Sequence, residues 1–227
     1  MTETEGRYRP IRSFVRREGR LTPAQRRALA ALWPRFGIAA DGRPLEPEAI
    51  FGRSAPLWLE IGFGNGDALH HMAVSHPEID FIGVEVHRPG VGHLLNRLAE
   101  QGLCNVRVAC TDAVELLRQQ VATHSLARVL IFFPDPWPKK RHHKRRLIQP
   151  AFVDELARVL KPGGALHLAT DWGDYADHMR GVLDDHPAFH APDGATIERP
   201  AYRPPTRFET RGRNRGHGVV DLFYLRC

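Results

Sequence analysis

The chain has 227 residues, 42% hydrophobic and 26% charged, with a formal net charge of +6. That is enough apolar material for one ordinary core and argues against wholesale disorder. No window approaches the roughly 18–20 uncharged apolar residues of a membrane span, and the N-terminus lacks the apolar segment of a secretory signal, so the expected address is cytoplasmic. Cys104, Cys110 and Cys227 make no CxxC and no even framework, which sets aside a disulfide scaffold and a zinc ribbon.

Residues 1–20 are polar and Arg-rich and read as an arm. Thr22-Pro23 before AQRRALAALWPRF reads as a capped helix, with a hydroxyl N-cap and Pro in the first turn. Residues 37–56, rich in Gly and Pro, read as a linker. From about residue 57, strand and helix patterns alternate. The apolar runs 57–61, 81–85, 106–110, 129–133 and 165–170 suit buried parallel strands, with helical segments near 65–75, 89–101, 112–122, 150–160 and 173–185. This order predicts an α/β fold with a doubly wound, mostly parallel sheet. Lys161-Pro-Gly-Gly164 reads as a helix stop and tight entry into the next strand, and 218–226 as one last strand suited to antiparallel pairing. Cys104 and Cys110, near the strand at 106–110, read as small core residues.

The net charge hides a pattern. Residues 7–27, 139–146 and 199–217 hold 20 of the 32 bases and 2 of the 26 acids, so three segments carry +18 on a body of −12. An acidic body with cationic segments fits a polyanion partner. Arg141, Lys144, Arg145 and Arg146 are expected to meet phosphates.

Glu60-Ile-Gly62-Phe-Gly64-Asn-Gly66-Asp67 follows the first strong strand and opens a helix. Glycines there let the backbone turn sharply and approach a ligand. The spacing is GxGxG rather than the GxGxxG of dinucleotide binders. Glu85 ends the next strand, 23 residues beyond Gly62, where an acid accepts hydrogen bonds from ribose hydroxyls. Asp112 follows the strand after that and suits either an adenine contact or a helix cap. The loop alone also admits a dehydrogenase, but nothing further along suits a nicotinamide.

The run 129–133 leads into Phe133-Pro-Asp135-Pro-Trp137-Pro-Lys139-Lys140, where a doubly wound fold places its chemistry. Two prolines flank Asp135, and Trp137 offers either a flat face for a base or a core anchor. Asp171, in Ala-Thr-Asp-Trp172, ends the next strand, so two carboxylates are expected at adjacent strand ends. His70-His71 and His142-His143 have no further ligand at metal-site spacing, and no metal is expected.

GFGNG, GVEVHRPGVG (83–92), FPDPWPKKRHHKRR (133–146), ATDWGDYADHM (169–179) and PTRFETRGRNRGHGVVDLFY (205–224) together resemble the bacterial tRNA (guanine-N7-)-methyltransferases, class I enzymes that use S-adenosylmethionine (SAM). The resemblance runs from about residue 57 to the C-terminus. Arg207 stands where the family usually has Lys, Asn214-Arg215 where it has Arg-Leu, and Val220 where it has Trp.

The resemblance implies a seven-stranded Rossmann-like methyltransferase domain at 51–227, preceded at 1–50 by the basic arm with its helix and linker. It implies methyl transfer to N7 of a variable-loop guanosine, position 46 of the tRNA. It implies cofactor contacts from Glu60, Gly62, Gly64, Glu85, Asp112 and Asp135. Substrate contacts fall on Lys139, Asp171, Thr206, Arg207, Phe208 and Glu209, and Asp135 is the catalytic residue. The implied partner is tRNA, with no membrane and no obligatory protein partner. Two other readings stand beside it: a SAM methyltransferase acting on another RNA, and a non-catalytic RNA-binding protein with a vestigial cofactor fold. The joint presence of Glu60, Glu85, Asp112 and Asp135 favours an enzyme.

Overall fold

The computed structural model describes residues 19–206, 209–210 and 218–227. The chain opens with α1 (Pro23–Ala31), α2 (Trp33–Phe36), β1 (Gly37–Ile38) and α3 (Pro47–Phe51). The alternating body follows: β2 (Leu57–Ile61), α4 (Asp67–Ser75), β3 (Asp80–Val84), α5 (Arg88–Glu100), β4 (Val106–Ala109), α6 (Ala113–Gln120) and β5 (Leu126–Phe132). After a 3-10 helix at Lys140–Arg145 come α7 (Pro150–Val159), β6 (Leu160–Thr170), α8 (Gly173–Asp184), β7 (Phe189–His190), β8 (Thr196–Ile197) and β9 (Val220–Arg226).

The strands form one sheet in the order β1-β4-β3-β2-β5-β6-β9-β7, with β8 also pairing β9. Pairing is parallel from β1 through β6, and β9 runs antiparallel to β6. Alternate strand side chains enter two cores. Leu59 and Ile61 share one core with Leu117, Leu156 and Met179 from α6, α7 and α8, whereas Trp58 shares the other with Ala28, Leu69 and Leu94 from α1, α4 and α5. Two apolar faces on one sheet need helices on both sides, which is the doubly wound arrangement.

Nine strands are present among the described residues, against the seven expected. β1, β7 and β8 are two residues each, too short to show as apolar runs. The segment 37–56 is no plain linker: Gly37 and Ile38 pair with Val108 and Ala109, and α3 lies within it. The helix before it forms as expected. Thr22 Oγ1 accepts the Gln25 amide at 3.2 Å, and Gln25 Oε1 accepts the Thr22 amide at 2.9 Å. Lys161–Gly164 bulges from β6, as the register jumps from Leu126–Leu160 to Arg128–Ala165. Cys104 is exposed rather than a core residue, because β4 begins two residues later; Cys110 is half-buried at the edge of one core. No helix among the described residues is long and apolar enough to cross a membrane.

β2 is the switch point of the sheet, with β3 on one side and β5 on the other. Ligands of such sheets bind outside the carboxyl ends of the strands at this point. Glu60, Glu85, Asp112, Asp135 and Asp171 lie at or just beyond the carboxyl ends of β2, β3, β4, β5 and β6 respectively.

Candidate active site

The loop after β2 carries positive φ at Gly62 (75°), Gly64 (60°) and Gly66 (78°), a conformation side chains with a Cβ rarely adopt. Glu85 ties this loop to β3. Its Oε2 accepts the Gly64 amide at 2.8 Å, and its Oε1 accepts the Val86 and His87 amides at 2.7 and 2.9 Å. Gly90 in α5 completes the seat: a Cβ there would lie 2.0 Å from the Gly64 carbonyl oxygen.

Glu60 is 3% exposed on β2, between Gly83 of β3 and Leu130 of β5. Its Oε2 has no hydrogen-bond partner among the described residues. Burial, with the nearby Glu85 charge second, pushes its carboxyl up to about 8. Asp112 is the N-cap of α6 and accepts the Val114 amide at 2.9 Å, so the capping alternative is realised.

At the next strand pair, the Phe133 amide donates to the Ala169 carbonyl at 2.7 Å. Asp135 and Asp171 each follow two residues beyond this bond, so the two acids follow the ends of the adjacent strands β5 and β6. The loop around Asp135 is strained. Phe133 and Trp137 have φ of 53° and 44°, which costs roughly 1–2 kcal/mol for each residue with a side chain. Asp135 is exposed and Asp171 half-buried. Trp137 is half-buried outside the core, its ring under the Arg145 guanidinium at 4.6 Å and edge-on to His142. Lys139 is exposed at the entry to the 3-10 helix.

The C-terminal segment is anchored beside this edge. Arg203, fully buried, grips Asp221 of β9 through Nε at 2.6 Å and Nη2 at 2.7 Å, while its Nη1 donates to Glu209 Oε2 at 2.8 Å. Asp221 Oδ1 also accepts His167 Nε2–H at 2.8 Å, and Tyr202 O–H donates to His167 Nδ1 at 2.8 Å. Burial holds His167 below its usual pKa against the opposing pull of Asp221, which suits this neutral tautomer. Tyr202 packs edge-on to Trp58 at 5.5 Å, and the Arg128 guanidinium lies over both rings at 4.8 and 4.1 Å.

Thr206 caps the turn that follows, its Oγ1 accepting the Glu209 amide at 3.1 Å. Glu209 is 1% exposed and held by Arg203. Arg207 and Phe208 lie outside the described residues, as do His217 and much of the first and third basic segments.

Two arginines of the basic segments are not surface charges. Arg203 is buried as described, and Arg146 is 2% exposed, so neither presents its charge at the surface as the charge count alone suggests. Neither role shows in a charge count. The signal for Arg203 is Asp221, a lone acid within the apolar stretch GVVDLFYLR, which must find a buried cationic partner.

The family model described as "Putative methyltransferase" matches residues 54–222. A curated tRNA (guanine-N(7)-)-methyltransferase of Alcanivorax borkumensis is 55% identical over 98% of this chain and 94% of its own length. One from Nitrosococcus oceani is 57% identical over 96% of this chain and 92% of its own. The chain belongs to the tRNA (guanine-N(7)-)-methyltransferase family. A likeness across this length leaves the α1 segment inside the alignment as well.

Solved structures support the family's fold. The 16S rRNA methyltransferase KamB has a TM-score of 0.58 at 15% identity, over 79% of this chain and 91% of its own. A 16S rRNA (adenine(1408)-N(1))-methyltransferase variant from Catenulisporales acidiphilia, solved with cosubstrate SAM, has a TM-score of 0.53 at 18% identity, over 80% of this chain and 92% of its own. The Rossmann-like methyltransferase fold is therefore common ground between this family and these more distant enzymes.

Proposed function

We propose that this protein transfers a methyl group from SAM to N7 of a guanosine in the variable loop of tRNA. The observation that carries the reading is that Asp135 and Asp171 follow adjacent strands just beyond the Phe133–Ala169 bond, on the glycine-loop end of the sheet, with Asp135 leading into the basic 3-10 helix.

The donor set suits SAM. A buried carboxyl oxygen of Glu60 without a hydrogen-bond partner suits a cationic ligand, and SAM carries an ammonium and a sulfonium. Glu85, Gly62 and Gly64 would hold the ribose and the amino-acid portion, and Asp112 would reach the adenine while capping α6. When bound, SAM supplies an electrophilic methyl group on its sulfonium.

The rest of the chemistry falls to the chain and the substrate base. Guanine N7 has a lone pair and no proton, so attack in line on the methyl needs no general base. The residues have to position and stabilise charge. Guanine presents N1–H and N2–H₂ donors on its Watson–Crick edge, and an acceptor-only carboxylate matches them. Asp135 orients the base and offsets the positive charge the purine acquires; Asp171 adds a second acceptor. Unstacking the base costs a few kcal/mol, which phosphate contacts from Lys139, Lys140, Arg141 and Lys144 offset. Thr206, Arg207, Phe208 and Glu209 are the substrate contacts that the family resemblance implies; Glu209, buried against Arg203, would act by anchoring that segment.

The test is methyl transfer from tritiated SAM to unmodified tRNA, run beside ribosomal RNA fragments and free guanosine nucleotides. Incorporation into tRNA alone is expected. Incorporation into another RNA favours the alternative substrate, and none into any RNA contradicts an enzymatic role.

A further inference from the structure

Arg146 closes the KKRHHKRR run and behaves unlike the rest of it. Lys139, Lys140, Arg141 and Lys144 are exposed, whereas Arg146 is buried. Its guanidinium is engaged inside the protein. Nε donates to the Pro136 carbonyl at 3.0 Å, and Nη2 pairs with the Asp174 carboxylate. Its face lies over the Tyr175 ring, 4.9 Å from the centroid. The Tyr175 hydroxyl accepts the Ile148 amide at 3.3 Å, so the chain leaving the 3-10 helix joins the same cluster. The bond from Arg146 holds the Asp174 carboxyl below its usual pKa.

The partners belong to different parts of the site. Pro136 adjoins Asp135, and its loop carries the strained Phe133 and Trp137. Asp174 and Tyr175 lie in the first turn of α8, which begins two residues after Asp171. We propose that Arg146 is a positioning residue that sets the Asp135 loop against the Asp171 end of β6. This rests on the methyl-transfer reading of those two carboxylates. A guanidinium suits this role, because its fork reaches a carbonyl and a carboxylate in one plane while its face stacks on a ring. A lysine ammonium offers neither the fork nor the face.

The test compares Arg146→Ala, Arg146→Lys and Asp174→Asn with the wild type in the full chain. Three quantities are measured: single-turnover methylation at saturating tRNA and SAM, the salt dependence of tRNA binding, and affinity for S-adenosylhomocysteine. Hydrogen exchange of peptides covering 133–142 is followed without tRNA. Arg146→Ala is expected to slow single turnover about 10–100-fold, the scale of a small misplacement of reacting groups. Its salt slope and S-adenosylhomocysteine affinity stay at wild-type values, and exchange in 133–142 rises. Arg146→Lys recovers part of the rate, and Asp174→Asn loses less than Arg146→Ala.

A salt slope shallower by about 0.9 with an unchanged single-turnover rate makes Arg146 a phosphate contact and overturns the proposal. Wild-type turnover and exchange in variants that only melt earlier overturn it equally. Should Arg146→Ala fail to fold, Arg146→Lys and Asp174→Asn decide by the same readouts. Should the wild type transfer no methyl to tRNA, the functional reading fails, and the exchange of 133–142 still decides whether Arg146 sets this loop.

Discussion

The Glu85 carboxylate accepts the Gly64 amide at 2.8 Å, so the acid after β3 and the glycine loop after β2 act as one unit. A single side chain thus fixes the loop and presents an acceptor at the sheet edge. Glu85→Ala removes both. Charge-assisted hydrogen bonds are worth roughly 1.5–3 kcal/mol, so affinity for S-adenosylhomocysteine is expected to fall about ten- to a hundredfold in calorimetric titration. Unchanged affinity in the folded variant removes Glu85 from the cofactor site.

Glu60 gives the ligand-free protein a distinct pH signature. Its carboxyl rises from 4.5 to about 8 on folding. Stability from the neutral group is fully present below about pH 4.5 and is lost as pH climbs towards 8, by up to about 1.4 kcal/mol per pH unit. Glu60→Gln cannot ionise, so its stability relative to wild type should improve from pH 5 to pH 8. Urea unfolding at both pH values measures this. A difference that does not move with pH shows that Glu60 is already ionised in the fold.

The basic run short of Arg146 is expected to govern tRNA binding through phosphates. Replacing Arg141, Lys144 and Arg145 by Ala should flatten the log–log salt dependence by up to about 0.9 for each lost duplex contact, with SAM affinity unchanged. Arg145 also covers Trp137 at 4.6 Å, so its single replacement should alter Trp137 fluorescence as well. A wild-type slope in the triple variant makes this helix a merely solvated face.

Asp135→Asn tests orientation against proton transfer. The amide keeps the shape, loses the charge and presents a donor where guanine also has donors. Single-turnover methylation is expected to drop by about two orders of magnitude with SAM binding largely kept. Near-normal turnover by the variant would make Asp135 structural, with Asp171 the next residue to test.

The alternating body was legible because LWLEI, VLIFF and ALHLAT are buried on both faces and so read as continuous apolar runs. The strand-end acids were legible because their places follow from strand ends. Contacts set by tertiary packing were not. Gly37–Ile38 joins the sheet with no run to announce it. Arg146 sits among five other bases, and only the fold turns it inward towards Pro136 and Asp174. Arg203 likewise hides in a Pro- and Arg-rich stretch, while its partners Asp221 and Glu209 lie 18 and 6 residues away in sequence. Asp112 was legible as either cap or ligand, and the α6 cap is what its own backbone neighbours demand.

The central claim is methylation at guanine N7, and one substrate tests it most directly: tRNA carrying 7-deazaguanosine in place of the variable-loop guanosine. The replacement swaps N7 for a carbon and leaves the Watson–Crick edge intact, so Asp135 can still engage the base. Binding close to that of ordinary tRNA with no methyl incorporation from tritiated SAM is the predicted result. Incorporation at the wild-type rate would place the methyl on another atom or another nucleotide and contradict the account.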